Sequence, residues 1–436
     1  MLFCKGDPKA DLLIRGARCL DPSESLDGSF DVTVTRGVIS RLEPAGSRPD
    51  RNGHRVVEAP GLLLTPGFVD PHVHLRTPGR EDEETLASGT RAAAAGGYCA
   101  ILAMPNTEPV VDSAAVLGAL AESARREAEI PVGFLAAISK GQRGGELTEQ
   151  VELADAGALG FSDDGHPVES AGLLRRGLQY SAVAGRPLAL HCEERTLSRD
   201  GQVHEGEVSA ELGFTGYPSI AESAMVGRDL GLAAHEERPL HLLHLSARES
   251  VELLRRAQAD GVRATAEVTP HHLCLTHEAV RSLDPNLKMN PPLRAGGDRA
   301  ALIDALRDGS IGSIATDHAP HARHEKEVPF EDAPFGVTGL ETAFAALYTH
   351  LVVSGLISLE TLLARLTAGP AGVYGLKPPR LAVDAPADLV LLDLSAGVTV
   401  RESAFHSRSA NSWLLGQELQ GEVRLTVARG RVVHEL

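Results

Sequence analysis

The sequence predicts an α/β protein: a (β/α)8 TIM-type barrel flanked by a small β domain built from both ends of the chain. Three observations predict it. Between about Pro66 and Leu376, short apolar runs alternate with stretches rich in Ala, Leu, Glu and Arg at helical spacing. Eight such runs fall within about 300 residues, the number a closed parallel barrel needs. Both chain ends also carry one local pattern of strand, Arg-Gly turn and strand.

In chain order, strands are expected at Asp11–Ala17, Phe30–Thr35 and, after the turn Arg36-Gly37, Val38–Leu42. The barrel strands are expected at Leu62–Val69, Tyr98–Ala103, Val132–Ile138, Ala158–Phe161, Pro187–Leu190, Leu240–Leu243, Arg263–Val268 and Ile311–Ala315. Beyond Leu376 the alternation returns at Asp388–Asp393, Gly397–Arg401 and Val423–Val427, then the turn Arg429-Gly430 and Arg431–His434. The expected division is a composite β-sandwich domain of residues 1–65 and 377–436 around a barrel of residues 66–376.

Composition removes several functions. With 42 Lys and Arg against 59 Asp and Glu, the net charge of −17 makes nucleic acid a poor partner, since phosphate binding needs a basic face. No run approaches the roughly 18 apolar residues of a membrane span, and the first twenty residues lack a basic start before an apolar stretch. A soluble, cytoplasmic chain is expected. Five scattered cysteines without a CxxC pair argue against both a disulfide framework and a thiolate zinc site. Histidine, present 18 times, and carboxylates are left to supply any metal ligands.

Those residues sit just after the expected strands: His72 and His74, Asn106, Asp163 and Asp164, His191, His244, His271 and His272, Asp317 and His321. In a parallel barrel all these strand ends open on one face. Strand periodicity of two puts His72 and His74 of Asp70-Pro-His-Val-His-Leu-Arg76 on the same side, and Asp317 on the neighbouring eighth strand can complete one ion's shell. His191 and His244 can hold a second ion, with the Asp163-Asp164 pair supplying a bridge. By parity, His241 and His318 face away and read as structural. Two ions about 3.5–4 Å apart sharing a water bring its pKa near 7, which suits hydrolysis of amides, esters or phosphoesters. Asp317 can shuttle the proton. Zinc suits this donor set, with manganese or cobalt as replacements. Arg76, Asn106, Asn290 and His321 supply donors for a substrate carboxylate and amide oxygens. The charged, Pro-containing stretch 321–335 reads as a mobile active-site loop.

Several motifs together resemble the amidohydrolase superfamily and, within it, class I dihydroorotases: Asp70-Pro-His-Val-His-Leu-Arg76, Met104-Pro-Asn-Thr107, Phe161-Ser-Asp-Asp-Gly165, His191-Cys-Glu193, Lys288-Met-Asn-Pro-Pro292, Ala315-Thr-Asp-His-Ala-Pro320 and Pro334-Phe-Gly-Val-Thr-Gly-Leu-Glu341. They stand in the family's order from about residue 10 to the end. The resemblance implies reversible opening of L-dihydroorotate to N-carbamoyl-L-aspartate in pyrimidine synthesis, with two zinc ions per subunit. It implies His72, His74 and Asp317 at one zinc, His191 and His244 at the other, and Asp164, the second of the Asp pair, between them. Asp317 becomes the catalytic acid and base, and Arg76, Asn106, Asn290, His321, Phe335 and Gly336 become the substrate contacts. A homodimer and a complex with aspartate transcarbamoylase are compatible with it.

Two features bear on the alternatives. Thr77 stands where the family usually has Glu, which removes no ligand. Related hydantoinases, dihydropyrimidinases and allantoinases bridge their metals with a carboxylated lysine, yet no lysine occurs between Lys140 and Lys288. An inactive scaffold for aspartate transcarbamoylase is expected to have lost metal ligands, and this chain keeps every candidate.

Overall fold

The computed structural model describes residues 1–6, 9–47 and 53–436. Its parallel strands follow chain order in two arcs. Phe68–Val73, Tyr98–Ala103 and Val132–Phe134 form the first, and Phe161–Ser162, Leu188–Leu190, Leu240–Leu242, Ala264–Val268 and Ser313–Ile314 the second. Parallel bridges join Ala136 to Phe161 and Val73 to His318, so the arcs meet at both ends. Because every pairing among these strands is parallel, all of them deliver their C-terminal ends to one side.

The intervening helices bury one stripe each. In Arg248–Ala259, Val251 and Leu254 are buried while Glu252 and Arg256 are exposed, and the helix packs on its neighbour Ile220–Glu236. Each such fully buried side chain contributes roughly 1.5–3 kcal/mol. In Ala171–Ala184 the start is capped by Ser170 accepting from Leu173 N, and Gly185 ends it with φ +66°. A second cluster, including Leu102, Leu135, Ala189 and Leu243, draws residues from successive parallel strands or just beyond them.

Both chain ends share one sheet, in the order Arg431–Glu435, Glu418–Ala428, Leu389–Thr399, Leu63–Pro66, Leu12–Asp21, Leu26–Thr35 and Val38–Pro44, with Arg55–Glu58 on Leu12–Asp21. The ends join where Leu389 pairs with Pro66 and Leu391 with Leu64. The hydrogen-bonded path runs without a break between the two chain ends, and the sheet bends until its Arg-Gly turns touch. Ala10 bridges those turns, donating to Gly430 O at 2.6 Å and accepting from Gly37 N at 3.1 Å.

Two strand expectations need correction. The run Leu62–Val69 divides: Leu63–Pro66 belongs to the end sheet, and the first parallel strand begins at Phe68. Gly67 N still donates to Asp388 O at 2.9 Å, and Phe68 N turns to Gly97 O at 3.0 Å, so one apolar run serves two sheets. Conversely, Asp388–Asp393 and Gly397–Arg401 merge into Leu389–Thr399, whose ladder shifts register between Leu391 and Leu392 and again between Asp393 and Gly397. Asp393 accepts from Ser395 N and Ala396 N there, a local turn that sequence reading takes for a strand end. Among the described residues no helix is long and apolar enough to cross a membrane, and all five cysteines are unpaired.

Candidate active site and metal centre

The strand ends bring six expected ligands into one buried cluster. His72 and His74 leave the first strand with ring centroids 5.2 Å apart. Asp317 Oδ1, beyond the eighth strand, lies 3.4 Å from His72 Nε2 and 3.1 Å from His74 Nε2. Asp164, after the fourth strand, stands between two pairs of imidazoles. Its Oδ2 is 3.5 Å from His72 Nε2 and 3.4 Å from His74 Nε2, while Oδ1 is 3.3 Å from His244 Nε2 and 3.8 Å from His191 Nδ1. His191 Nδ1 and His244 Nε2 are themselves 3.0 Å apart. His244 and Asp317 have φ of +30° and +49°, so backbone strain at both strand ends helps to aim these side chains.

Adjacent Asp163 points elsewhere. It accepts from Ile138 N at 2.8 Å, Ser139 N at 3.1 Å and the Ser139 hydroxyl, tying the third strand's loop to the fourth. Burial lifts its pKa to about 6 despite these donors.

The donor set fits divalent cations. Ligands about 2.0–2.1 Å from a tetrahedral ion are about 3.3 Å from one another, close to the spacing around His72, His74 and Asp317. Each of three histidines also spends its other nitrogen on a supporting acceptor: His72 Nδ1 on Glu267 at 2.7 Å, His74 Nδ1 on Asn106 Oδ1 at 2.8 Å and His191 Nε2 on Glu193 at 2.9 Å. This leaves Nε2, Nε2 and Nδ1 turned inward, the arrangement of metal-binding histidines.

The electrostatics agree. Burial raises the Asp164 and Asp317 pKa values, but His72 and its neighbours overcome it and hold both carboxylates well below their ordinary range. Burial likewise opposes charge on His72, yet Asp164, Asp317 and Glu267 raise its pKa well above the ordinary value. The cluster thus stabilises positive charge at its centre.

His74, Arg76, Asn106, Asp164, His191, His244, Asn290, Asp317, Phe335 and Gly336 line one cavity of about 370 Å³. His72 lies fully buried beneath it. Gly336 is required in the wall: at φ +125° its Cβ would stand 2.7 Å from Ala319 Cβ and 3.1 Å from His321 Nε2. His321 is placed behind the wall, with Nε2 2.8 Å from Phe335 O, Nδ1 3.1 Å from Glu83 and Arg76 Nη2 3.4 Å away. The stretch expected as a mobile loop is folded. It contains the short helix Arg323–Lys326 and is tied by Lys288 Nζ to Phe330 O and Glu331 O and by Lys326 Nζ to Pro285 O and Pro334 O.

Comparison with known proteins places this site in context. Residues 61–250 match the dihydro-orotase-like family, and residues 332–434 match the amidohydrolase family. A dihydroorotase of Pelotomaculum thermopropionicum is 44% identical over 97% of this chain and 98% of its own length. That of Geobacillus kaustophilus is 45% identical over 88% of this chain and 90% of its own length. The chain belongs to the dihydroorotase family. Among solved structures, an L-hydantoinase (dihydropyrimidinase) from Arthrobacter aurescens is 26% identical, with a TM-score of 0.88 over 98% of this chain and 96% of that one.

In this dihydroorotase-family chain no lysine lines the cavity. Asp164 holds the strand-four position, and Lys140 is exposed, with Nζ 2.5 Å from Glu146. Thr77 donates to Glu84 O at 3.4 Å, outside the ligand set.

Several residues escaped sequence reading. Glu267 receives both His72 Nδ1 and His241 Nε2, the latter at 3.0 Å, so His241 acts on the cluster through Glu267. A lone acid inside the apolar strand Ala264–Val268 was the available signal. Glu83 pairs with Arg76 Nε at 2.9 Å, and Asn411 donates to Ala319 O and Gly336 O. Neither falls in a motif near its partner. His318 is structural as expected, meeting Glu84 at 3.2 Å and Gly339 N at 3.2 Å.

Proposed function

We propose that the chain is a cytoplasmic dihydroorotase, holding two zinc ions and interconverting L-dihydroorotate and N-carbamoyl-L-aspartate in pyrimidine synthesis. The observation that carries the reading is Asp164 set between His72 with His74 and His191 with His244, on the floor of the cavity that also holds Arg76 and Asn106. His72, His74 and Asp317 are assigned to one ion, His191 and His244 to the other, and Asp164 to both. The two parallel arcs are read as one (β/α)8 barrel of residues 66–376, with residues 1–65 and 377–436 as its companion domain.

Ions held there supply Lewis acidity and bring a water's pKa toward neutrality. With ions bound, Asp317 would take a proton from the attacking water as the water oxygen bonds to the amide carbon, and would return it to the ring nitrogen as the C–N bond breaks. Asn106 spends Oδ1 on His74, so its NH2 is the end free to donate, as a substrate carboxylate requires. Arg76 adds the charge, its guanidinium held in place by Glu83 and Pro320 O. His321, which touches both Arg76 and Phe335 O, supports the two walls of this subsite. Phe335 and Gly336 complete the cavity wall.

The test is metal content and turnover of the purified chain in both directions, with hydantoin and allantoin as competing substrates. Bound zinc with turnover of dihydroorotate is expected. Absence of metal and turnover would leave the scaffold reading, and preference for hydantoin or allantoin would move the assignment to those cyclic amidases. A homodimer and a complex with aspartate transcarbamoylase belong to the same proposal, and sizing of the chain alone and mixed with that partner tests them.

A further inference from the structure

Glu193 joins the two halves of the site. Its carboxylate takes hydrogen bonds from His191 Nε2 at 2.9 Å, Asn290 Nδ2 at 3.2 Å and Ser198 Oγ at 2.5 Å. A carboxylate only accepts, so the end of the Asn290 amide that meets it has to be the NH2. Oδ1 is thereby committed to the other direction. It is buried and finds no partner in the protein, while Asn290 lines the cavity. An acceptor left unpaired in a buried place is costly, and on a cavity wall a donor carried by the ligand can satisfy it. The same carboxylate holds His191 with Nδ1 turned toward Asp164 and His244, since Nε2 must carry the proton it donates.

We infer that Glu193 is a positioning residue with two outputs: it presents Asn290 to the substrate as an acceptor for a ring N–H, and it fixes the tautomer in which His191 can bind metal. Asn290 and Asn106 then have opposite polarity. Asn106 offers NH2 toward a carboxylate, and Asn290 offers C=O toward an amide N–H. This corrects the expectation that Asn290 is a donor, and it favours cyclic substrates with a free ring N–H over N-alkylated or oxygen-substituted rings. The first output rests on the dihydroorotase reading; the second rests only on the metal cluster.

The test uses Glu193→Leu, which keeps much of the volume and removes the acceptor. At saturating zinc, KM for dihydroorotate should rise roughly tenfold or more with a smaller change in kcat. Zinc affinity, read by chelator competition without any turnover, should fall about 10–100-fold. Glu193→Gln should keep both close to wild type, because its amide oxygen can stay between His191 and Asn290 while its NH2 donates to the Ser198 hydroxyl. If Glu193→Leu is not recovered folded, N-methylated dihydroorotates with the unmodified chain test the Asn290 output, one of them being expected at a KM roughly tenfold higher or more, and Glu193→Asp, one methylene shorter, tests the His191 output by the same zinc competition. Wild-type KM in Glu193→Leu, equal KM for every methylated ring, or a loss in Glu193→Gln as large as in Glu193→Leu would overturn the Asn290 output; wild-type zinc affinity would overturn the His191 output. Failure of the unmodified chain to turn over dihydroorotate would instead strike the functional reading, leaving the zinc measurement to judge Glu193.

Discussion

Gly430 stacks backbone to backbone on Gly37, so that turns near the two ends of the chain meet in space. A Cβ at Gly430 would lie 2.1 Å from Gly37 Cα and 2.6 Å from its carbonyl oxygen, and Gly430 has φ +74°. Gly430→Ala should therefore destabilise by about 2–5 kcal/mol, combining left-handed strain of about 1–2 kcal/mol with a clash of about 1–3 kcal/mol. Gly46→Ala is the control: φ is +87° but nothing among the described residues lies within 4 Å, so only the strain should appear. Denaturant unfolding of the two variants measures the difference, and equal losses would show that the contact carries no weight.

Asp163 and Asp164, adjacent in sequence, should separate cleanly. Asp163→Ala strips acceptors from Ile138 N, Ser139 N and the Ser139 hydroxyl, and should cost about 2–3 kcal/mol in stability while zinc is retained. Asp164→Ala should lose zinc and turnover, since its two oxygens face all four imidazoles. Metal analysis beside thermal unfolding checks the crossing, and a reversed pattern would exchange their roles.

What the sequence made legible was local. Period-two spacing was enough to set His72 and His74 on one face, and apolar runs located the parallel strands to within a few residues. Residues whose role depends on a distant partner were not legible. Glu267 matters because the seventh strand brings it to His72, and Glu83 because a turn sets it on Arg76. Parity also misled where the backbone left strand geometry. His241 was set aside as facing away, yet it reaches Glu267, while His244 reaches the cluster through a φ of +30° that alternation does not describe.

Replacing Asp317 with Asn keeps shape and removes the charge that accepts a proton. Turnover at saturating zinc should fall by roughly 10²–10⁴ in both directions, the usual worth of a positioned acid and base. Arg76→Ala should act differently, raising KM for dihydroorotate more than it lowers kcat, because Arg76 lines the cavity and is the residue proposed to hold the substrate carboxylate. Steady-state kinetics distinguish the two, and near-normal turnover of Asp317→Asn would remove its proposed role.

Lys326 carries a pH signature. Its ammonium is buried, donating to Pro285 O at 3.1 Å and Pro334 O at 2.7 Å, without a carboxylate partner among the described residues. Burial, then repulsion from Lys288, lowers its pKa from 10.5 to about 7, against the opposing pull of Asp284 and Glu325. Between those values the unfolded chain binds the extra proton, so stability from this group rises with pH, at most about 1.4 kcal/mol per pH unit. The cost is full below pH 7 and vanishes above 10.5. Lys326→Met keeps the apolar stem without the charge and should flatten the rise between about pH 7 and 9. Thermal midpoints of both proteins across that window give the comparison, with other groups cancelling in the difference. Parallel curves would mean that Lys326 keeps its proton throughout.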